Sequence, residues 1–152
     1  MVKIDPNWLE CPSKEMWESR RKWLREQEEL YFVGGSYDVS EQACALSSEV
    51  ENVFCAGAWV AVIVLAMAVI DAQLREIEIC GFKGSTKRLL EELEVSEDLH
   101  RLRKRRNEII HINVDNPAIT MEMQIGNRQE LEKEARDAVK LMFEAFFMSP
   151  GT

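Results

Sequence analysis

The stretch from Arg101 to His111, reading RLRKRRNEIIH, gathers the side chains that could do acid–base and phosphate chemistry. His111 is the natural proton donor and acceptor, because an unperturbed imidazole titrates near pH 6.5. Arg106 offers a planar fork of donors matched to a phosphate and to the charge that builds on it during attack. Asn107, one helical turn before His111, can orient the imidazole or bind a phosphate oxygen. Cleavage of RNA needs few further parts, since the adjacent 2′-hydroxyl is the nucleophile. Such a site must remove that proton, stabilise a charged phosphorane and protonate the leaving oxygen.

Wound as a helix, the same stretch puts Leu99, Leu102, Ile109 and Ile110 in one apolar stripe. Arg106 falls in the middle of that stripe, where a guanidinium is costly to bury without partners. His100, Lys104, Asn107 and His111 follow at spacings of four, three and four, and so share the flank of the stripe. Plainer roles exist for each residue. Arg106 could bridge helices by pairing with Asp71 or a glutamate. His111 could be a cation favoured at a helix C-terminus by about 0.3–1 kcal/mol. The run Arg103, Lys104 and Arg105 could be a solvated face.

The other elements must hold this helix in place. Ser13 caps a helix from about Lys14 to Tyr31, with Met16, Trp23, Leu24, Leu30 and Tyr31 inward. Arg20 and Gln27 lie near that face, lining a cleft or covering its edge with their stems. The first dozen residues, with Pro6 and Pro12, read as an irregular lead-in, and Gly34 and Gly35 end the first helix. Ser48 and Glu51 read as a capping box that opens a helix running to about Ile79. Val53 to Ile70 contains no charge, which reaches the lower edge of a membrane span. Acidic flanks at Glu49, Glu51 and Asp71, and the absence of a basic orienting loop, argue for a helix buried in protein instead. Four helices from one short chain would cover it poorly, which predicts a second copy against it.

Ser85 or Thr86 starts a short helix to about Leu93, and Ser96 starts the motif helix. From Ile119 to Ile125 apolar and polar residues alternate, which predicts a short strand or hairpin, or an extended loop packing its apolar side. Asn127 opens a last helix to about Phe147. The expected architecture is therefore all-α, a single domain over 1–152 built as an antiparallel bundle of four to five helices, with a short hairpin between the last two as an option.

The 152 residues are 46% hydrophobic and carry a net charge of −8. They can bury a core, and general adhesion to nucleic acid or anionic membrane is disfavoured. Any RNA contact should be local, at the basic residues between Lys87 and Arg106. Cys11, Cys44, Cys55 and Cys80 are scattered without a paired motif, and the N-terminus does not read as a signal peptide. The expectation is a cytoplasmic protein with no cofactor, no structural metal and no membrane partner.

The pattern Arg106, Asn107 and, four residues on, His111 resembles the R-x4-6-H motif of the HEPN superfamily, and the helix order of most of the chain is similar to that family's. The resemblance implies an all-helical homodimer cleaving RNA without metal, of toxin or phage-defence type, with a cognate antitoxin as a further partner. It implies Arg106 and His111 as catalytic and Asn107 as supporting. Asp71 matches an acidic position near the end of the long second helix, although Asp71 and Arg75 could equally form a surface pair. Arg103, Lys104 and His100 would contact RNA. One subgroup carries a tyrosine two residues after the histidine that its antitoxin modifies. Asn113 stands there, which argues against that form of control. Some members are non-catalytic modules binding a nucleotide or a protein, and that is the alternative reading.

Overall fold

A computed structural model of the chain describes residues 11–150, and these are helical with no β-strand among them. Seven α-helices follow in order: α1 (Lys14–Tyr31), α2 (Glu41–Ala56), α3 (Trp59–Gln73), α4 (Thr86–Glu92), α5 (Glu97–Ile110), α6 (Met121–Gly126) and α7 (Arg128–Phe146). Five are long, and α3 continues into a π-helical turn over Leu74–Glu78. The all-α bundle expected from the sequence is present, with more helices than four to five. The proposed irregularity of the lead-in falls mostly on residues 1–10, outside the described residues.

Serine caps set most of the boundaries. Ser13 Oγ accepts from Met16 N at 3.1 Å, and Ser85 Oγ from Arg88 N at 3.3 Å. Each satisfies a donor that the first turn leaves unpaired. Ser96 occupies the N-cap position of α5 with extended backbone.

The long second helix is two helices. Gly57 adopts φ 79°, ends α2 in a left-handed cap, and its N–H reaches Phe54 O at 3.0 Å. Ala58 N bonds Val53 O at 2.8 Å, completing a Schellman closure. Two carbonyls freed by the break are taken by arginines. Arg20 Nη1 donates to Cys55 O at 3.1 Å and Arg128 Nη2 to Gly57 O at 2.6 Å. Arg20 is only 7% exposed and stacks over Trp59 at 4.8 Å, so it is an interior joint and not an edge residue covering a stripe.

α2 begins at Glu41 and not near Ser48. Ser40 caps it, its Oγ accepting from Ala43 N at 3.1 Å. Buried Gln73 fixes that entry from α3, accepting from Ser40 N at 2.9 Å and donating to Asp38 O at 3.0 Å. Ser48 lies inside the helix and donates back to Ala45 O at 3.0 Å, so the expected capping box is absent. The alternating segment after Pro117 is likewise not a strand. Thr120 Oγ accepts from Met123 N at 3.2 Å and winds the next six residues into α6.

α3 is the centre, packed mainly by α2 and α7 and also by α5. Trp59, Val62, Ile63, Ala66, Met67, Val69 and Ile70 are buried, and no residue of α3 is exposed. The chain covers this helix better than expected, through the second helix that the sequence reading merged into it. Ala61, Val64, Leu65, Ala68 and Ala72 stay half-buried along one stripe. No helix among the described residues is long and apolar enough to cross a membrane. On α7 the expected inner face, Leu131, Ala135, Ala138, Met142, Ala145 and Phe146, is buried throughout. Met16 and Leu30, expected inward on α1, are instead exposed.

Candidate functional site

Helix α5 is pinned to the core by Leu99 and Leu102, both buried, and by half-buried Ile109. Ile110, expected in the same stripe, is 49% exposed because the helix ends there. His111 is the C-cap, its backbone extended and its N–H bonded to Asn107 O at 3.0 Å. Its side chain is exposed and makes no hydrogen bond among the described residues.

Arg106 is half-buried on α5. Its Nε donates to Asn107 Oδ1 at 2.8 Å, so Asn107 orients the arginine and not the imidazole. Among the described residues Arg106 forms no ion pair, and the bridge to Asp71 or a glutamate is not made. Asp71 is engaged elsewhere: its Oδ1 accepts from Arg75 Nη2 at 2.9 Å and its Oδ2 from Thr86 Oγ1 at 3.1 Å. Arg75 also donates to Gly84 O at 2.6 Å, so Asp71 anchors the turn that carries α4. The surface pair with Arg75 is thus what the structure contains, enlarged into a loop clamp.

The basic run divides by partner. Arg101 pairs with Asp98 at 2.6 Å. Arg105 reaches across to α7, with Nε 3.1 Å from Glu134, and donates to Ala118 O at 3.3 Å. It thereby staples the segment after His111 to the bundle. Arg103, Lys104 and Arg106 make no ion pair among the described residues, and the Arg103 Nε is buried without an acceptor. Every other arginine of the chain pairs with a carboxylate or donates to a carbonyl. His100 is half-buried beside this set, one turn before Arg103 and Lys104.

A cleft of about 610 Å³ opens next to the motif, lined by Asn107, Glu108, His111, Asn113, Asn116 and Pro117 among others. A second cleft, about 560 Å³, lies between α5 and α7, and Arg105 borders both. No group of three His, Cys, Asp or Glu side chains among the described residues is placed to hold a metal ion.

Sequence reasoning missed three contributors: Arg128 and Trp59 at the helix break, and Asn116 in the cleft. The signal for the first two was Gly57 inside an apolar run. Asn116 had none beyond its nearness to His111. Compared with protein-family models, with curated proteins and with solved structures, the chain matches none.

Proposed function

We propose that this chain is a HEPN-like, metal-independent endoribonuclease, with Arg106 and His111 in the reaction and Asn107 setting the arginine. The observation that carries the reading is electrostatic. In a chain with 27 acidic residues, Arg103, Lys104 and Arg106 lie within two turns of α5 with no carboxylate partner among the described residues. Cations left unmatched on the helix that ends in an exposed imidazole suit an anionic ligand, and a phosphodiester is the anion that the motif's chemistry can act upon.

In the proposed reaction an imidazole takes the proton of the 2′-hydroxyl and the oxygen attacks the adjacent phosphorus. Arg106 holds the charged phosphorane. The bond to the 5′ oxygen breaks and that oxygen leaves protonated, giving a 2′,3′-cyclic phosphate and a 5′-hydroxyl. One His111 cannot hold both proton positions at once, so a two-fold homodimer would supply base and acid from two copies. A toxin or phage-defence role, with a cognate antitoxin, rests on the family resemblance alone.

The test is purified protein with mixed RNA in chelator, beside His111→Ala. The expected outcome is cyclic-phosphate products, a dimer in sedimentation, and a loss of about 10²–10⁴-fold or more in the variant. An RNA with one 2′-deoxy residue at the scissile position should survive there; cutting at that bond would overturn the mechanism. Equal cleavage by every variant would instead identify a contaminating nuclease. The alternative, a non-catalytic module binding a nucleotide or protein, is favoured by one observation: the His111 ring is exposed and no described residue hydrogen-bonds it.

A further inference from the structure

The unmatched cations of α5 fall at two levels of the helix, and one of those levels lies outside the motif. Arg106 and Asn107 form the level nearer His111. Arg103 and Lys104 stand one turn closer to the N-terminus, four and three residues before Asn107. That turn spans about 5.4 Å along the axis. Arg103 is half-buried with its Nε enclosed and without an acceptor, while Lys104 is exposed.

The carboxylates nearby are turned to other cations. Glu108 lies four residues after Lys104, the spacing of a helical ion pair, yet it pairs with Arg105 at 3.7 Å. Asp98 holds Arg101 at 2.6 Å, and Glu134 holds Arg105 at 3.1 Å. The positions one turn either side of Arg103 carry Leu99, His100, Arg106 and Asn107, none of them acidic. A chain of net charge −8 thus leaves a second pair of cations without an anion among the described residues. Arg103 supplies a planar fork of restricted freedom and Lys104 a mobile point charge, a combination suited to a phosphate.

We propose that Arg103 and Lys104 bind the phosphate next to the scissile one, so that the preferred substrate is an RNA strand with at least two consecutive phosphates. The inference rests on the reading of Arg106 and His111 as the cleavage site, which sets where the first phosphate lies. One helical turn is comparable to the separation of neighbouring phosphates in a single strand, so a strand lying along α5 meets both levels. The contribution of Arg103 and Lys104 is to binding and register. Contacts to the phosphate backbone carry no base information, so this pair selects for strand length and charge and not for sequence.

Binding is measured on the wild-type protein with dinucleotides methylated on the 2′-oxygen at the scissile position, which cannot be cut there. One dinucleotide carries its internal phosphate alone, and two others add a phosphate at the 5′ end or at the 3′ end. Calorimetry or NMR titration at low salt should show at least about tenfold tighter binding when the phosphate is added at one or other end. The gain should weaken as salt rises, with a slope of about −0.7 in log–log form for the added phosphate. Lys104→Gln, at an exposed position, and Arg103→Gln should each remove most of the gain while sparing the affinity for the single-phosphate dinucleotide. Arg103→Lys, which keeps the charge, should retain part of it. No binding, no gain at either end, a gain indifferent to salt, or a gain that survives both glutamine changes would overturn the second phosphate site. Its failure is separable from failure of the nuclease reading. Cleavage of RNA with no effect of a flanking phosphate leaves the nuclease and removes the second site. A gain that depends on Arg103 and Lys104, in a protein that cuts no RNA, leaves the phosphate pair and removes the nuclease.

Discussion

The Nε of Arg106 lies 2.8 Å from Oδ1 of Asn107, its neighbour in the chain, and this is the one hydrogen bond either side chain makes among the described residues. It spends one arginine donor on orientation and leaves the outer fork for a ligand. Asn107→Ala should therefore loosen Arg106 without touching the core. A displacement of about 1 Å can cost about 10²-fold in rate, and a loss of that order is expected with an unchanged unfolding midpoint. Asn107→Asp keeps the acceptor but puts a carboxylate against the guanidinium. Weaker RNA binding with retained stability is its expected outcome, read by filter binding and urea titration.

Arg106→Ala separates a bridge from a ligand-facing cation. Breaking a buried ion pair costs about 3–5 kcal/mol. Arg106 has no such pair, so its loss should shift stability by no more than about 0.5 kcal/mol, the range of ordinary surface changes. Cleavage should fall in the fully folded variant. A drop in stability of several kcal/mol would show that the side chain holds helices together.

The elements most legible in the sequence were those bounded by local signals. Ser13, Ser85 and Ser96 mark helix starts because capping is decided by the residue itself. The Arg106, Asn107 and His111 cluster was legible for the same reason: one helix carries it. What escaped was set by distant partners. The α2–α3 break is chosen by Gly57 but completed by Arg20 and Arg128, from either end of the chain. The start of α2 depends on Gln73, which an apolar pattern cannot distinguish from any buried position. The alternation around Met121 and Met123 has the period of a strand, and one threonine cap decided for a helix. Asp71 could have faced the site or Arg75, and the clamp on Thr86 and the Gly84 loop decided it.

Glu94 ends α4 with φ 51°, the only residue other than glycine with positive φ among the described residues. Left-handed backbone costs a residue with a Cβ about 1–2 kcal/mol, and glycine returns part of that gain through its looser unfolded state. Glu94→Gly should raise stability by about 0.5–1 kcal/mol in thermal or urea unfolding. Glu94→Val, with its branched Cβ, should lower it.

Burial, and then the charge of Glu51, push the Cys55 thiol above the usual thiol range, against the opposing pull of Arg20 and Arg21. The folded state therefore holds this proton more tightly than the unfolded chain. The resulting stability is complete below the ordinary thiol pKa and is lost as pH rises through the folded value. Cys11, Cys44 and Cys80 are exposed and Cys55 is not. A thiol reagent near pH 8 should titrate three cysteines quickly in the native protein and the fourth only on unfolding. Rapid reaction of all four would mean that the end of α2 opens readily.

The joint beneath that thiol gives the sharpest stability prediction. Arg20 is 7% exposed, donates to Cys55 O at 3.1 Å and lies 4.8 Å over the Trp59 ring. Arg128 approaches the same ring at 5.9 Å while holding Gly57 O. Together they satisfy carbonyls that the break exposes in a setting with little water. Removing the Arg20 guanidinium leaves Cys55 O without that donor and forfeits the stacking. A hydrogen bond from a charged group is worth about 1.5–3 kcal/mol, so Arg20→Ala should destabilise by at least that amount. Arg20→Lys keeps the charge but lacks the planar fork that serves the ring and the carbonyl at once, and it should recover less than half of the loss. Closing the break tests the same joint from the other side. Gly57→Ala strains a residue at φ 79°, and its cost should shrink in the Arg20→Ala background, where the break is already weakened. Strict additivity of the two changes in a double-mutant cycle would show that arginine and glycine act independently, and that the break is set by Gly57 alone.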